Sequence, residues 1–244
     1  MNIETITSRA NPKIKEAASF KDGKGAFFLV EGFHQVEMAV HFGLAICVFS
    51  LKPYDTSIKQ YIVNESVLAK LTNTRSPEGI VALCKKKEEK PFSSSRIMML
   101  DGVQDPGNVG TILRGALAFG FHDVILGEKC ASAYSDKALM AGQGAIFGLN
   151  IHKSDSLASS INALQKANYE IIGTSLESSL PLSRLKEQKF DKIAIVVGNE
   201  GQGVRKEILQ LVNQNVRIEM EGIDSLNVAM AASILMYEYR SLTK

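Results

Sequence analysis

The chain has 244 residues, of which 45% are hydrophobic and 22% charged, and a formal net charge of +2, which is enough chain to bury one large or two small cores. No apolar run approaches the ~20 residues that span a bilayer, the first residues lack the apolar stretch of a signal peptide, and Cys47, Cys84 and Cys130 are too few and too far apart for a disulfide framework or a metal cluster. No membrane span, disulfide framework or metal cluster is therefore implied, and the expected compartment is the cytoplasm.

The charge is uneven. Residues 1–96 carry 14 Lys and Arg against 10 Asp and Glu, while residues 97–244 carry 14 against 16. A mildly basic front half is compatible with a polyanionic partner, although Lys-rich stretches are often only solvated surface. Residues 2–20 read as a helix, with Ser8 or Asn11 as cap and Pro12 at a first helical position. Arg9, Lys13, Lys15, Lys21 and Lys24 gather there. Ala26–Val30 reads as a strand, and a helix runs through Val36–Val40. Strands follow at 44–49 and 79–84, so the front is a small α/β domain. The run 85–96 is charged, contains Pro91 and ends in serines, as linkers do. The division is therefore residues 1–90, a linker at 91–96, and residues 97–244.

From Ile97 the alternation resumes. Strands are expected at 97–100, 123–126, 146–151, 169–173, 193–197 and 216–220. Helices are expected at 110–119, 136–140, 155–167, 204–212 and 226–241. Strands separated by helices indicate an α/β fold with a parallel sheet covered on both faces, and such sheets bind ligands at the carboxyl ends of their strands.

Three strand-to-loop transitions carry the chemistry. Asp101–Ala116 contains Asp105-Pro-Gly, ordinary turn chemistry, and then Asn108 and Arg114. Arg114 is the polar exception on an otherwise apolar helix, placed either to meet a phosphate or carboxylate or to pair with Asp101 or Asp105. Gly198-Asn-Glu-Gly-Gln-Gly203 lacks the ending of a phosphate-binding P-loop and the spacing of a dinucleotide fingerprint, but puts a carboxylate, Glu200, in a tight turn. Ser225 reads as the N-cap of a helix apolar almost all round, and Asn227, in its first turn, requires a partner. The four histidines have no metal-ligand spacing and read as surface or half-buried.

Together these loops resemble the three motifs of the SpoU (TrmH-like) branch of the SPOUT RNA methyltransferases. Asn108-Val-Gly-Thr-Ile-Leu-Arg114 is similar to the first, Val197-Gly-Asn-Glu-Gly201 to the second and Ile218–Val228 to the third. The front domain, through Ser8–Lys15 and Phe28-Leu-Val-Glu-Gly32, is similar to that family's accessory RNA substrate-binding domain. The resemblance implies a C-terminal parallel sheet tied in a trefoil knot, a homodimer, and S-adenosylmethionine as cofactor. It implies methyl transfer to a ribose 2′-hydroxyl of structured RNA, ribosomal or transfer, with ribosomal RNA slightly favoured. Carried onto this chain it assigns the cofactor to Thr174, Gly198, Ile218, Met220 and Leu226. It assigns the chemistry to Asn108, Arg114, Glu200, Ser225 and Asn227, and RNA contact to the basic residues at 9–24. Met140-Ala-Gly-Gln-Gly-Ala145 departs from the Arg-Ala-Ser that ribosomal members often carry. An inactive RNA-binding protein of the same fold and an ordinary nucleotide-binding α/β enzyme are the alternatives; intact Asn108, Arg114, Glu200 and Asn227 speak against the first.

Overall fold

The computed structural model describes residues 3–74, 76–177, 179–185 and 188–241. In chain order the elements are β1 (Ile3–Ile6), α1 (Pro12–Ala18), β2 (Phe27–Glu31), α2 (Phe33–His41), β3 (Ala45–Ser50), β4 (Lys59–Val63), α3 (Glu65–Leu71), β5 (Ile80–Lys85), β6 (Arg96–Asp101), α4 (Pro106–Ala118) and β7 (Asp123–Leu126). They continue with α5 (Asp136–Gly142), β8 (Asn150–Lys153), α6 (Leu157–Lys166), β9 (Glu170–Thr174), β10 (Leu180–Pro181), α7 (Leu182–Leu185), β11 (Ile193–Gly198), α8 (Lys206–Leu209), β12 (Gln214–Arg217) and α9 (Val228–Glu238). They fall into two compact units, Met1–Glu88 with Ser132–Gly148, and Glu89–Ala131 with Leu149–Lys244.

The first unit holds a five-stranded sheet in the order β1-β4-β3-β5-β2. It is mixed: β4 lies parallel to β1 and β3, whereas β5 is antiparallel to β3 and β2. The helix expected over 2–20 is corrected here. Ile3–Ile6 is an edge strand, and helix begins only at Pro12, where the Asn11 side chain accepts the Lys13 N–H. The strand is held by a partner nearly sixty residues away, Ile3 lying opposite Gln60, and no local signal carries such pairing. Its core gathers Ile14, Phe49, Val67, Leu68 and Val81. Segment 132–148, which a linear division puts in the second half, belongs to this unit because Phe28 packs on the rings of Tyr134 and Phe147, 5.0 and 6.1 Å away. The strand expected at 146–151 is a 3₁₀ turn at Ala145–Phe147 followed by β8.

The second unit is a seven-stranded, all-parallel sheet in the order β10-β12-β9-β11-β6-β7-β8. Its central strands are buried along their length, as sheets covered on both faces require. One face meets α6 and α8 through Met99, Ile125, Ile161, Ala194 and Val196. On the other side of β11, α9 packs against α4. Within the stretch read as a linker, the backbone N–H groups of Ser93 and Ser94 donate to Asp123 Oδ2 at 2.9 and 2.7 Å. Asp123 Oδ1 also accepts from His152 Nε2 at 2.8 Å, and both residues are buried, which corrects the surface reading of His152. Burial by itself raises the Asp123 pKa, but hydrogen bonds from His152, Ser94, Ser93 and Asn150 outweigh it and hold the carboxyl at about 2.

Candidate active site

The parallel strands β6, β9, β11 and β12 end on the same side, and every loop singled out above leaves from those ends. In the first loop the Asp105-Pro-Gly sequence, which is also ordinary turn chemistry, opens a helix. Asp105 is the N-cap of α4, its side chain accepting the Asn108 N–H at 3.0 Å, and Pro106 takes the first helical position, where no N–H is needed. The helix therefore starts four residues earlier than its apolar pattern indicates, and Asn108 sits on its first turn.

The second loop is folded back on itself. Asn199 and Gly203 exchange backbone hydrogen bonds of 3.0 and 2.9 Å, and Asn199 Oδ1 accepts from the N–H groups of Gly201 and Gln202. A Cβ at Gly198 would overlap the backbone of Gly203 and Val204, so only glycine fits there. Glu200 at the tip reaches the first loop. Its Oε1 accepts from Asn108 Nδ2 at 2.9 Å and from the Asp105 N–H at 3.1 Å, and its Oε2 from the Gln104 N–H at 3.3 Å. Partial burial works to raise the Glu200 pKa. The hydrogen bonds from Asn108, Asp105 and Gln104 outweigh it and leave the carboxyl below its ordinary value. Glu200 is thus an ionised acceptor with its oxygens engaged, an anchor rather than a base.

The third loop joins through Asn227, whose Nδ2 donates to Asn108 Oδ1 at 3.0 Å. Asn227 Oδ1 accepts from the N–H groups of Ala229 and Met230 at 2.9 and 3.3 Å, so Asn227 is the N-cap of α9. The cap role expected of Ser225 is corrected: the helix begins at Val228, and Ser225 lies exposed three residues before it. The partner that Asn227 requires is Asn108. One continuous chain, Glu200–Asn108–Asn227, therefore ties together three loops remote in sequence.

Beside it opens a cavity of about 550 Å³. All five residues assigned to the cofactor (Thr174, Gly198, Ile218, Met220 and Leu226) line it, together with Glu200 and Ser225. Asn108 and Asn227 instead line an adjacent, shallower hollow with Thr111, Met230 and Ile234. Arg114 borders neither. It is exposed on the third turn of α4, and among the described residues it pairs with neither acid considered for it. Asp101 is taken by Arg205, at 2.7 Å, and Asp105 by its capping role. Sequence reasoning passed over Arg205 altogether. A cation seven residues after Gly198 was its signal, but the carboxylate it meets is 104 residues upstream.

The cavity suits an adenosyl sulfonium. Leu176, Val197, Leu209, Leu226 and Val228 offer apolar wall to a flat ring, Glu177 and Asp224 offer carboxylates to hydroxyl or ammonium groups, and the bare Gly198 backbone permits close approach.

The basic residues assigned to RNA belong to the first unit and are unequal. Lys13 is paired with Glu4 at 2.7 Å and lies over the Tyr61 ring, Lys21 Nζ donates to the Thr72 carbonyl, and Lys24 is 3.9 Å from Asp22. The side chains of Arg9 and Lys15 make no hydrogen bond or ion pair among the described residues.

Residues 95–237 match the model of the SpoU rRNA Methylase family. The 23S rRNA (guanosine(2553)-2′-O)-methyltransferase RlmP of Bacillus subtilis is 33% identical over 250 residues, covering 98% of this chain and 100% of that protein. An AdoMet-bound rRNA methyltransferase from Sinorhizobium meliloti superposes with a TM-score of 0.86 at 25% identity over 98% of both chains. An RNA 2′-O ribose methyltransferase does so with a TM-score of 0.78 at 30% identity, over 96% of this chain and 97% of that one.

Proposed function

The chain belongs to the SpoU rRNA methylase family and is an S-adenosylmethionine-dependent RNA ribose 2′-O-methyltransferase, and from that premise we propose that its substrate is large-subunit ribosomal RNA, as it is for the Bacillus subtilis relative. The observation that carries the mechanistic reading is the Glu200–Asn108–Asn227 chain at the edge of the cavity. When bound, S-adenosylmethionine supplies an electrophilic methyl group on a positively charged sulfur. Thr174, Gly198, Ile218, Met220 and Leu226 would hold it.

The protein's own residues position the hydroxyl. Glu200 fixes Asn108, Asn108 fixes the start of α9, and Ser225 at the rim is free to orient the ribose. Holding two reactants in line supplies much of the rate. Arg114 cannot serve as the base, because a guanidinium stays protonated at neutral pH. Although it borders neither hollow, the role proposed for it is to stabilise the forming 2′-alkoxide or to clamp a neighbouring phosphate, for which its exposure suits it, since among the described residues it pairs with no acid.

Three finer features belong to the same reading. The first unit is the RNA-binding domain. The C-terminal segment is threaded as a trefoil knot, a reading supported by the placing of β12 beside β9 and the return of α9 across β11 to α4. The enzyme acts in the cytoplasm as a homodimer through α9. The test is transfer of labelled methyl from S-adenosylmethionine to RNA from a strain lacking the gene, followed by fractionation and digestion to nucleosides. Label in one 2′-O-methylated nucleoside of large-subunit RNA is expected; label in transfer RNA alone, or in none, overturns the substrate assignment.

A further inference from the structure

Arg205 stands immediately after the Glu200 loop yet lines neither hollow. Its bonds run the other way. Its Nε donates to Asp101 Oδ1 at 2.7 Å, its backbone N–H to Asp101 Oδ2 at 2.8 Å, and its Nη2 to Glu128 Oε2 at 2.9 Å. Asp101 is the last residue of β6 and only 1% exposed, and Glu128 lies two residues beyond β7, where it also accepts the Leu157 N–H at 3.2 Å. One guanidinium thus fastens the chain after β11 to the ends of the two neighbouring strands, β6 and β7. Upstream, the loop is closed by the Asn199–Gly203 bonds and pinned by Asn199 Nδ2 on the Gly102 carbonyl at 3.0 Å. A loop that is closed on itself, with both ends fixed, has no freedom except to carry its tip in one place.

We infer that Arg205 is a positioning residue for the reaction: through Asp101 and Glu128 it fixes the downstream end of the Gly198–Val204 loop and so holds Glu200 against Asn108. The planar fork suits this task, because Nε and Nη2, held apart in one rigid plane, address two different carboxylates, whereas an ammonium would have to reach both from a single nitrogen. Asp101, buried, accepts both the side-chain and the backbone donor of the same residue, and this sets the direction in which the loop leaves β11.

The kinetic part of this inference rests on the methyltransferase reading; the structural part does not. The experiment compares full-length wild type, Arg205→Lys, Glu128→Gln, Glu200→Gln and the double variant Arg205→Lys/Glu200→Gln. Five quantities are read: amide hydrogen exchange of residues 199–204 and 104–108, S-adenosylmethionine affinity, kcat, KM for RNA, and Tm. For Arg205→Lys, exchange in both segments rises on the order of tenfold and kcat falls on the order of tenfold, while KM for RNA stays within about threefold. In the Glu200→Gln background the same change lowers kcat by less than about twofold, because the brace acts through Glu200. Glu128→Gln, which leaves the Asp101 bonds intact, gives the same changes in smaller measure and serves if Arg205→Lys fails to fold. Wild-type exchange at 199–204 in Arg205→Lys, or fully additive losses in the double variant, overturns the inference, since a brace that only stabilised the fold would lower Tm and leave the two changes independent. If the wild type methylates no RNA, the functional reading fails, and the exchange arm still decides the brace.

Discussion

Asn108 shows how one side chain acquires its meaning from two others. Its carboxamide accepts from Asn227 and donates to Glu200, and no neighbour in sequence supplies either partner. The residue types were legible from the three motifs, but the chain of bonds was not, because its members lie 92 and 119 positions apart. The same is true of Ser225, where local pattern favours a serine cap and the structure uses Asn227 two residues later, the one whose Nδ2 also reaches Asn108. Arg114 makes a sharp test. Arg114→Lys is expected to lower kcat on the order of 100-fold, with S-adenosylmethionine affinity unchanged within about threefold, because lysine keeps the charge and loses the fork. Near-normal turnover would remove the clamp. Asp123 makes a second test, away from the cavity. Its folded pKa of about 2 lies below the ordinary ~3.9 of an unfolded aspartate. The stability it contributes is therefore fully present above pH ~4 and lost as pH falls through about 2. Asp123→Asn should cost about 2 kcal/mol in urea unfolding at pH 7, with the gap to wild type closing as pH falls towards 2. An undiminished gap at pH 2.5 would show that packing, not charge, is responsible.

Among the elements, the long buried strands were legible and the short or remote ones were not. Ile193–Gly198 and Arg96–Asp101 are runs of apolar residues that only a doubly covered strand accommodates. The edge strand β1, by contrast, depends on β4, and β10 has two residues paired only to β12. Glycines separate the two kinds of constraint that place the site. At Gly198 a side chain would overlap backbone that cannot move; at Gly115, where α4 and α9 touch, an added Cβ would meet the Met236 Cε at 2.9 Å and the Ser233 Oγ at 3.3 Å. Gly198→Ala should therefore destabilise by more than ~3 kcal/mol and abolish cofactor binding. Gly115→Ala should cost less than ~1.5 kcal/mol, since a methionine end can swing aside and alanine favours helix. Thermal unfolding and calorimetric titration of both variants decide this, and equal losses would mean that the helix contact is as rigid as the loop.

At the scale of the whole molecule, charge and apolar surface point to different partners for the two units. The basic front was legible from composition, but not which cations are already engaged. With Lys13 and Lys21 committed to Glu4 and the Thr72 carbonyl, Arg9 and Lys15 are the better candidates for phosphate. The double reversal Arg9→Glu/Lys15→Glu should weaken RNA binding about tenfold at low salt and reduce the salt slope; unchanged affinity places the RNA elsewhere. The second unit ends in a helix whose apolarity on all sides has two explanations. Val228, Ala232, Leu235 and Met236 are buried against its own sheet and α4, which accounts for one face. Met230 remains 57% exposed and Tyr237 50%, with Ile234 half-buried between them on the same stripe. Methionine, isoleucine and tyrosine side chains at i, i+4 and i+7 form a continuous apolar strip that water covers poorly, and a second copy meeting it about a two-fold axis would bury both strips at once. The strip borders the hollow formed by Asn108 and Asn227, so its covering would also enclose the site. Met230→Asp/Tyr237→Asp should therefore sediment as a monomer, keep its secondary structure and lose methyl transfer more than 100-fold. A variant that stays dimeric, or a wild type that sediments as a monomer at micromolar concentration, would assign the strip to another role.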